Sequence, residues 1–553
     1  MIDEGIKAIV FGEEKTFARG TTFEDIIKEY KDKFEFPIVV AREKGIYKEL
    51  SELVEGGSEI EFFDLMSGEG NRIYLNGLIY LLIYSIRELY GKKTKVFVRY
   101  SIDKGLYITV DKKLTKDMIK EIKNKMLEVS EQDIKITPRN VSRLEAIDYF
   151  EKNGDTDKSS MLKYNTNSYI TLYQLGHMYD FYFSKMPTST GVLNRFNIEY
   201  LNEEGLVLMF PHRYSNGEVS KYHHIPQRFD VYHEYQDWVR IMNITNAADL
   251  NDIVSQGKMG NLIRLDETIQ ASRLLNIARE IHSHKDRLKI ILIAGPSSSG
   301  KTTTSIKLTN YLTSFGINPV QISMDDYFVS RKKTPKKKDG TYDYECLEAV
   351  NVELFNENVD KLLNGEEIVA PVYNFLTGEP EYKLPMKLGK NDVLVIEGIH
   401  ALNPAILSNI PRSKKYKMYI SPMTGISIDN HNRISTSDNR LLRRIIRDNR
   451  TRGHKVEKTL ASWKDVREGE EKYIFPYQSE ANVTFNTALI YELGILKTYA
   501  EPLLYSVDPK SEYYNEAKRL INLLKTFLPM PSEDIPDDSL LREFIGGSCF
   551  KVT

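Results

Sequence analysis

Cysteine is nearly absent from this chain of 553 residues, which contains only Cys346 and Cys549. Two thiols cannot build a disulfide framework or a cysteine-rich zinc site. Long apolar runs are missing too, since the longest near the front, 78–83, falls far short of the ~20 residues that a membrane-spanning helix needs. The first residues are acidic and lack the apolar core of a signal peptide. These features predict a protein of the reducing cytoplasm.

Net charge is also nearly absent, because 76 basic and 78 acidic residues leave a charge of −2. Near neutrality disfavours a protein that coats nucleic acid or a membrane surface, although local basic patches are left open. The chain is too long for one hydrophobic core, so we expect several domains. The segments that we expect are 1–65, 66–212, 213–284, 285–505 and 506–553. Residues 213–284 predict a connecting helical segment, with a packed helix over 266–286, and 506–553 predict a docking tail with a helix over EAKRLINLLKTFL. Because no low-complexity linker separates the segments, we expect the front part to be docked.

The most informative stretch is 290–308, where an apolar run precedes a G-x-x-x-x-G-K-T turn and a helical pattern. Gly295 and Gly300 allow backbone angles closed to other residues, so the N–H groups of the turn can converge on phosphate oxygens at a helix N-terminus. We expect Lys301 to reach the β- and γ-phosphates and Thr302 to hold Mg²⁺. The predicted phosphate-binding residues are Gly295, Pro296, Ser297, Ser298, Ser299, Gly300, Lys301, Thr302 and Thr303.

Two later apolar strands end in carboxylates. Asp325 and Asp326 follow one of them, and Glu397 ends the other. Ligands of open α/β sheets lie outside the carboxyl ends of the strands. We therefore assign Asp325 as the base that accepts a proton from an attacking hydroxyl and Glu397 to the Mg²⁺ site. The alternative for the Asp pair is a cap on the following turn.

Basic residues form two runs. The run 438–454 predicts a helix, and three interpretations are open: a solvated face, a nucleic-acid surface, or a lid that neutralises a transferring phosphoryl group. Its position after a phosphate-binding loop favours the lid. The run 331–338 predicts a mobile, solvated loop near the acceptor, with attraction of an anionic substrate as the alternative. The arginines of the first run are Arg440, Arg443, Arg444, Arg447, Arg450 and Arg452.

The segments GPSSSGKTT, SMDDYF, DGTYDYECLEAVN, APVYNF, VLVIEGIHAL and DNRLLRRIIRDNRTRG occur in that order within 285–505. Their order and spacing resemble the uridine kinase/phosphoribulokinase family. The resemblance implies a P-loop kinase fold with a parallel sheet flanked by helices, ATP and Mg²⁺ as cofactors, and a nucleoside as small-molecule acceptor. By position it implies catalytic roles for Asp325, Lys301 and Arg447, acceptor contacts from Asp343, Tyr373, Phe375 and Arg444, and a nucleotide contact from Arg452.

The base-reading positions depart from that family. Classical uridine kinases carry a His and an Arg where this chain has Gly378 and His454. A pocket without these hydrogen-bonding partners loses discrimination. The 5′-hydroxyl of a uridine- or cytidine-like nucleoside is the first expectation, and a non-nucleoside hydroxyl compound is the alternative.

The front of the chain resembles two other modules. In 1–65, strands such as IKAIVFG and a helix over 23–34 capped by Thr22 resemble a ubiquitin-like TGS domain. Residues 66–212 resemble the α+β editing-type domain of threonyl-tRNA synthetases. The metal positions of that domain hold poor ligands here, so we expect a fold retained for packing or binding. These positions are Asn76, Tyr80, Tyr182 and Met186.

Two rival functions follow from this front half. One is an RNA- or tRNA-associated, ATP-binding regulatory protein, and the other is a sensor whose front half binds a metabolite and regulates the kinase. A small molecule is the expected partner. A membrane is not expected, nucleic acid is disfavoured, and a homo-oligomer is allowed.

Overall fold

The structure, a computed structural model, describes residues 5–213, 215–223, 226–338, 340–374 and 377–551. Within these ranges, no helix is both long and apolar enough to cross a membrane.

A mixed five-stranded sheet with one short helix forms the first unit. Its elements are β1 (Ile6–Val10), β2 (Glu13–Phe17), α1 (Phe23–Lys28), β3 (Ile38–Glu43), β4 (Ile46–Lys48) and β5 (Glu59–Asp64). The strand order is β2-β1-β5-β3-β4, with β1 and β5 parallel. The predicted cap is confirmed, because the Thr22 hydroxyl accepts a hydrogen bond from the N–H of Asp25. The helix predicted over 23–34 is too long, and the residues of the 3₁₀ turn at Lys31–Lys33 bury no side chain that would extend the helix against the core.

The second unit packs a long buried helix with two antiparallel sheets, ordered β11-β12-β7-β6 and β10-β9-β8. This helix, α2, is buried on most of its circumference, which explains its nearly continuous apolar sequence. The elements are α2 (Gly68–Tyr90), β6 (Val96–Ile102), β7 (Gly105–Val110), α3 (Lys116–Glu131), β8 (Ile136–Ser142), α4 (Arg143–Asn153), α5 (Thr156–Lys163), β9 (Tyr169–Leu175), β10 (Met178–Asp180), β11 (Asn197–Tyr200) and β12 (Gly205–Met209).

Three helices connect this unit to the rest: α6 (Pro226–Ile241), α7 (Ala247–Ser255) and α8 (Met259–Ser283). The helix predicted from the spacing of apolar residues in 266–286 is confirmed by α8, which begins earlier and ends at Ser283.

The C-terminal half is built on a five-stranded parallel sheet. Its elements are β13 (Ile290–Ala294), α9 (Lys301–Ser314), β14 (Asn318–Ser323), α10 (Val352–Leu363), β15 (Ile368–Asn374), β16 (Glu379–Met386), β17 (Asp392–Glu397), β18 (Lys415–Ser421), α11 (Thr436–Arg452), α12 (Val456–Tyr473), β19 (Val483–Asn486) and α13 (Glu492–Tyr505). The order β14-β17-β13-β18-β19 places β13 in the centre, and all neighbours are parallel. Both β13 and β18 are buried along their whole length. The central strand, β13, is a continuous apolar run, as expected for a parallel strand that is covered on both faces. The carboxyl ends of β13, β14 and β17 therefore meet at one edge.

The tail returns to this edge. It contains α14 (Tyr514–Leu524), which begins two residues before the helix predicted from EAKRLINLLKTFL and ends four residues before its end, and the short α15 (Arg542–Ile545).

Candidate active site

The loop between β13 and α9 has the backbone of a phosphate-binding turn, and the strand–turn–helix predicted there is confirmed. Ser298 and Gly300 have positive φ angles of 59° and 84°, which curl the loop. Lys301 Nζ donates to the carbonyl oxygens of Gly295 and Pro296, at 3.1 and 3.3 Å. These two hydrogen bonds hold the ammonium group of Lys301 against the first residues of the loop.

Several hydroxyls around this loop are buried without a hydrogen-bond partner in the described part of the chain. They belong to Ser298, Ser299 and Thr304. Buried polar groups are nearly always paired with protein, water or ligand, so these hydroxyls mark the loop as a site prepared for a polar occupant.

Two carboxylates lie side by side beyond the loop. Asp325 is in the turn that follows β14, and Glu397 ends β17, where Ser323 Oγ donates to Glu397 Oε1 at 2.8 Å. Burial raises the pKa of Asp325, an effect opposed chiefly by the charge of Lys301. Burial and then the charge of Asp325 raise the pKa of Glu397. Two crowded carboxylates are a good environment for a divalent cation, which offsets both charges.

No group of three or more His, Cys, Asp or Glu side chains within the described ranges could hold a metal alone. Mg²⁺ in kinases is typically held by one or two carboxylates together with phosphate oxygens. Oxygen donors of the kind that Mg²⁺ prefers are present here. They are the carboxylates of Asp325 and Glu397 and the hydroxyl of Thr302, at the start of α9.

Three arginines of α11 share one counter-ion. Asp448, almost fully buried, is within 3.3 Å of Arg444 Nε, 3.2 Å of Arg447 Nη2 and 3.3 Å of Arg452 Nη1. Arg444 Nη1 also donates to Ser297 Oγ of the phosphate loop at 2.7 Å. The charges of Arg452 and Arg447 also oppose the rise in the pKa of Asp325 that burial causes. Helix α11 therefore faces the loop and the carboxylates with a cluster of fixed positive charge.

The other arginines of the same run have structural partners, so they do not belong with the lid. Arg440 forms a two-pronged ion pair with Glu470, at 2.8 and 2.6 Å, and Arg443 pairs with Glu492. Both guanidinium groups are fully buried. Glu470 Oε1 also accepts the N–H of Ser297 at 3.2 Å, so this pair supports the phosphate loop from behind.

The predicted acceptor residues are only partly assembled. Tyr373 donates its N–H to Asp326 Oδ1 at 3.4 Å, and its ring packs edge-on against Phe328. Asp343 accepts the N–H of Glu345 at 3.1 Å, and in the described structure no hydrogen bond or ion pair joins it to Asp325. Phe375 lies outside the described residues.

A basic residue occupies the space beside Gly378. A Cβ at Gly378 would lie 2.7 Å from Arg331 Nε, and the Arg331 N–H donates to the Gly378 carbonyl at 2.8 Å. Arg331, the first residue of the basic run 331–338, is also close to Tyr373. Burial raises the pKa of Tyr373, and the charge of Arg331 opposes that rise. In the run 331–338, for which the prediction is a mobile, solvated loop, Lys332 and Lys333 are exposed and Arg331 is partly exposed, because the glycine at 378 leaves room for its side chain.

Glu345 is a member of the site that sequence reasoning missed. Burial and the charge of Glu470 raise its pKa to about 7, while Arg444 opposes the shift. Its Cβ lies against Gly469 of α12, where a side chain would collide with it. The only sequence signal was its place two residues after Asp343.

The tail contacts the phosphate loop directly. Glu543 Oε2 accepts hydrogen bonds from the hydroxyl and N–H of Thr303, at 2.7 and 3.4 Å. Leu540 packs against Gly300, and Lys307 Nζ is 3.0 Å from Asp538 Oδ2. A carboxylate therefore lies at the N-terminus of α9, where anions are favoured. No motif in the sequence marks this contact.

In the second unit, the side chains of Asn76, Tyr80, Tyr182 and Met186 pack against other protein groups. The rings of Tyr80 and Tyr182 lie 5.4 Å apart, and the Tyr80 hydroxyl donates to the carbonyl of Tyr173 at 2.7 Å. Asn76 Nδ2 donates to Ser184 Oγ at 2.6 Å, and Met186 is buried.

Residues 290–490 match the family model described as "Phosphoribulokinase / Uridine kinase family". The C-terminal half therefore contains a domain of this kinase family. Its presence indicates an ATP-dependent kinase that acts on a small hydroxyl compound.

Individual relatives are similar over the same part of the chain. A uridine kinase of Ureaplasma parvum serovar 3 is 26% identical over 196 residues, which are 35% of this chain and 86% of that protein. A uridine kinase of Mycoplasma genitalium is 28% identical over 177 residues, 32% of this chain and 74% of that protein. The solved structure of a possible uridine kinase from Bacillus stearothermophilus is 19% identical and covers 36% of this chain and 89% of its own; its TM-score of 0.25 is too low to support an argument.

Proposed function

We propose that this protein transfers the γ-phosphoryl group of ATP to the 5′-hydroxyl of a uridine- or cytidine-like nucleoside. The observation that carries the proposal is the shared edge of the parallel sheet. It brings the phosphate loop, Asp325 and the arginines of α11 together. A phosphate cradle, a base and fixed cations are the parts that phosphoryl transfer requires.

In the proposed reaction, the acceptor oxygen attacks the γ-phosphorus as the bond to the β–γ bridging oxygen breaks. Asp325 accepts the proton of the acceptor hydroxyl, and ADP leaves with the electrons of the broken bond. Lys301 and the guanidinium groups of Arg447 and Arg452 stabilise the negative charge on the transferring group and on ADP. Arg444, held at Ser297, positions the lid over the loop.

Thr302 and Glu397 would hold Mg²⁺, which would supply positive charge to offset part of the charge of the nucleotide phosphates. The crowding of Asp325 and Glu397 supports this assignment, because each carboxylate is harder to ionise without a nearby cation. Ser323 fixes the orientation of the Glu397 carboxylate through its hydroxyl.

The acceptor pocket supports a second class of substrate as well. Arg331 fills the space beside Gly378 and lies near Tyr373. A guanidinium group there favours a small hydroxyl compound that carries an anionic group. We keep this class as the alternative acceptor.

We also propose that 1–65 is a TGS-like unit and 66–212 an editing-like unit without editing chemistry. The packing of Tyr80 on Tyr182 supports this proposal, because it fills the metal positions with aromatic rings. A role as an RNA-associated ATP-binding regulator is the remaining rival. It predicts ATP hydrolysis that needs no added acceptor.

Identification of the product tests the proposal. The full chain is incubated with Mg²⁺ and ATP and with single nucleosides, ribose, glycerate or no acceptor, and the products are identified by mass spectrometry. A nucleoside 5′-monophosphate is the expected product. A phosphorylated anionic sugar acid alone would assign the alternative class, and release of inorganic phosphate in every sample would overturn kinase activity.

A further inference from the structure

A cavity lies where the front half meets the kinase domain, and none of its lining residues belongs to the phosphate loop. It has a volume of about 210 Å³. Its walls come from β6, from the end of α6 with the turn that follows, and from the loop 427–433 that precedes α11. The lining residues are Phe97, Arg99, Arg240, Thr245, Ser427 and Asn430. Two cations and no carboxylate stand among them.

Arg99 is held in place while most of its guanidinium group stays available. Its Nε donates to Thr109 Oγ1 at 2.8 Å, and its guanidinium carbon lies 4.3 Å from the centre of the Phe97 ring. Among the described residues, no carboxylate is within ion-pair distance of Arg99. A partly buried guanidinium of this kind presents its remaining N–H donors to the cavity.

Arg240 brings a second positive charge to the same cavity. Its only ion-pair partner among the described side chains is Asp237, at 3.6 Å on the same helix, and half of its side chain is exposed. Burial and then the charge of Arg240 lower the pKa of Arg99 to about 10. Two like charges that repel each other in a confined space are stabilised when an anion lies between them.

The opposite wall is rigid. The N–H of Asn430 donates to Asp157 Oδ2 at 2.8 Å, and its carbonyl accepts the N–H of Val98 at 2.8 Å. The N–H of Ser427 donates to the carbonyl of Thr245 at 3.2 Å. These backbone bonds leave the amide of Asn430 and the hydroxyl of Ser427 beside the cavity. The carboxylate of Asp249, in the first turn of α7, accepts hydrogen bonds from the hydroxyl and the N–H of Thr245.

We propose that the Arg99–Arg240 cavity binds the phosphate group of a small phosphorylated molecule. Paired guanidinium groups with an amide and a hydroxyl are the donor set that recognises phosphate oxygens. The small volume and the fixed walls favour a small molecule over a nucleic-acid strand. The site shares no residue with the phosphate loop or the acceptor pocket, so it stands whether or not the acceptor is a nucleoside.

The location of the cavity connects it to the helix that faces the phosphate loop. Ser427 and Asn430 belong to the loop that leads into α11, which carries the arginines that face the phosphate loop. An occupant held between Arg99 and this loop would tie β6 of the front half to the start of that helix.

Calorimetric titration of the full chain tests the proposal. The Lys301→Ala variant is the background, so that the phosphate loop contributes little to binding. The probes are inorganic phosphate, uridine 5′-monophosphate and a 5′-phosphorylated RNA oligonucleotide. Arg240→Gln and Arg99→Gln are each compared with Arg279→Gln, a matched change of an exposed arginine on α8.

We expect phosphate or the monophosphate to bind at low salt, and we expect Arg99→Gln and Arg240→Gln each to weaken binding at least ~10-fold. Arg279→Gln should match the background. If the Arg99→Gln variant unfolds, the affinities of Arg99→Lys and of Arg240→Gln, whose side chain is half exposed, decide between the two outcomes. Equal affinity in all variants, no binding of either small probe, or binding of the RNA only would overturn the proposal.

Discussion

Glu345, a half-buried acid, links the site to pH. The pKa of this carboxyl is about 7, against 4.5 for the free side chain. Between these values the folded chain binds more protons than the unfolded chain, so the free energy of unfolding falls as pH rises from about 4.5 to 7 and levels off above. The charged carboxylate is thus a cost to the ligand-free fold at pH 8.

We expect Glu345→Gln to remove this slope and to stabilise the ligand-free protein at pH 8 by about 1–2 kcal/mol, a value discounted for partial solvent access. The measurement is the thermal unfolding temperature at pH 5, 6, 7 and 8, with the exposed Glu348→Gln as control. Parallel curves for Glu345→Gln and the unaltered protein would contradict the assignment.

Asp448 affects the position of three arginines at once, because its carboxylate is within 3.3 Å of all three guanidinium groups. Asp448→Asn keeps the shape and removes the counter-charge, so the three guanidinium groups repel one another and the lid loses its alignment. We expect kcat to fall about 10- to 100-fold, with a smaller change in the nucleotide KM, since the lid acts mainly on the transferring group.

Steady-state kinetics measure this effect. The control is Asp465→Asn, a change of a partly exposed acid on α12 that pairs with Lys337. An unchanged kcat in Asp448→Asn would show that the arginines hold their positions without their shared carboxylate.

At the scale of elements, local patterns were predictable and long-range contacts were not. Short-range motif and periodicity predict the strand, loop and helix of 290–308. They also predict the strand that precedes Asp325 and the strand that ends in Glu397. The contact of Glu543 with Thr303 joins residues 240 apart, and that of Glu470 with Ser297 joins residues 173 apart. No local sequence pattern specifies which distant carboxylate accepts a hydrogen bond from a given N–H. These two residues of the site could therefore be identified only from the folded structure.

The tail supplies the prediction at this scale. Glu543 takes up the hydroxyl and N–H of Thr303 at the N-terminus of α9, where a phosphate group of the nucleotide is expected. Glu543→Gln removes a negative charge from that position, so we expect ATP to bind about 3- to 10-fold more tightly. Calorimetric titration with ADP and ATP measures the change, and Glu533→Gln on the exposed part of the tail is the control. Weaker binding in Glu543→Gln would mean that the carboxylate supports the loop and does not compete with phosphate.

At the scale of the whole molecule, the front half is joined to the kinase domain by buried charges. Lys158 Nζ lies 2.8 Å from Asp180 and 3.0 Å from Asp429, and all three side chains are almost fully buried. Asp429 also accepts the N–H groups of His431 and Asn432. The docked arrangement was predictable only in outline, because nothing near Lys158 in the sequence points to a partner 271 residues away.

Breaking this pair should be costly. Lys158→Met leaves two carboxylates buried without their cation, so we expect a loss of about 3–5 kcal/mol in the free energy of unfolding. Thermal unfolding measures the loss, and Lys163→Met, which breaks an exposed pair with Asp252, should change stability by less than about 1 kcal/mol. Equal effects of the two changes would show that the pair does not hold the units together.

Phosphoryl transfer with Asp325 as the base predicts how ADP release responds to an added acceptor and to loss of the Asp325 carboxylate. ADP release is measured with Mg²⁺ and ATP in the presence and absence of a nucleoside panel, for the unaltered chain, Asp325→Asn and Asp326→Asn. We expect stimulation by one or two nucleosides, a fall in kcat of about 10²- to 10⁴-fold in Asp325→Asn, and a smaller loss in Asp326→Asn, whose amide oxygen can still accept the N–H of Tyr373. ADP release that no nucleoside stimulates and that survives Asp325→Asn would contradict both the base and the reaction.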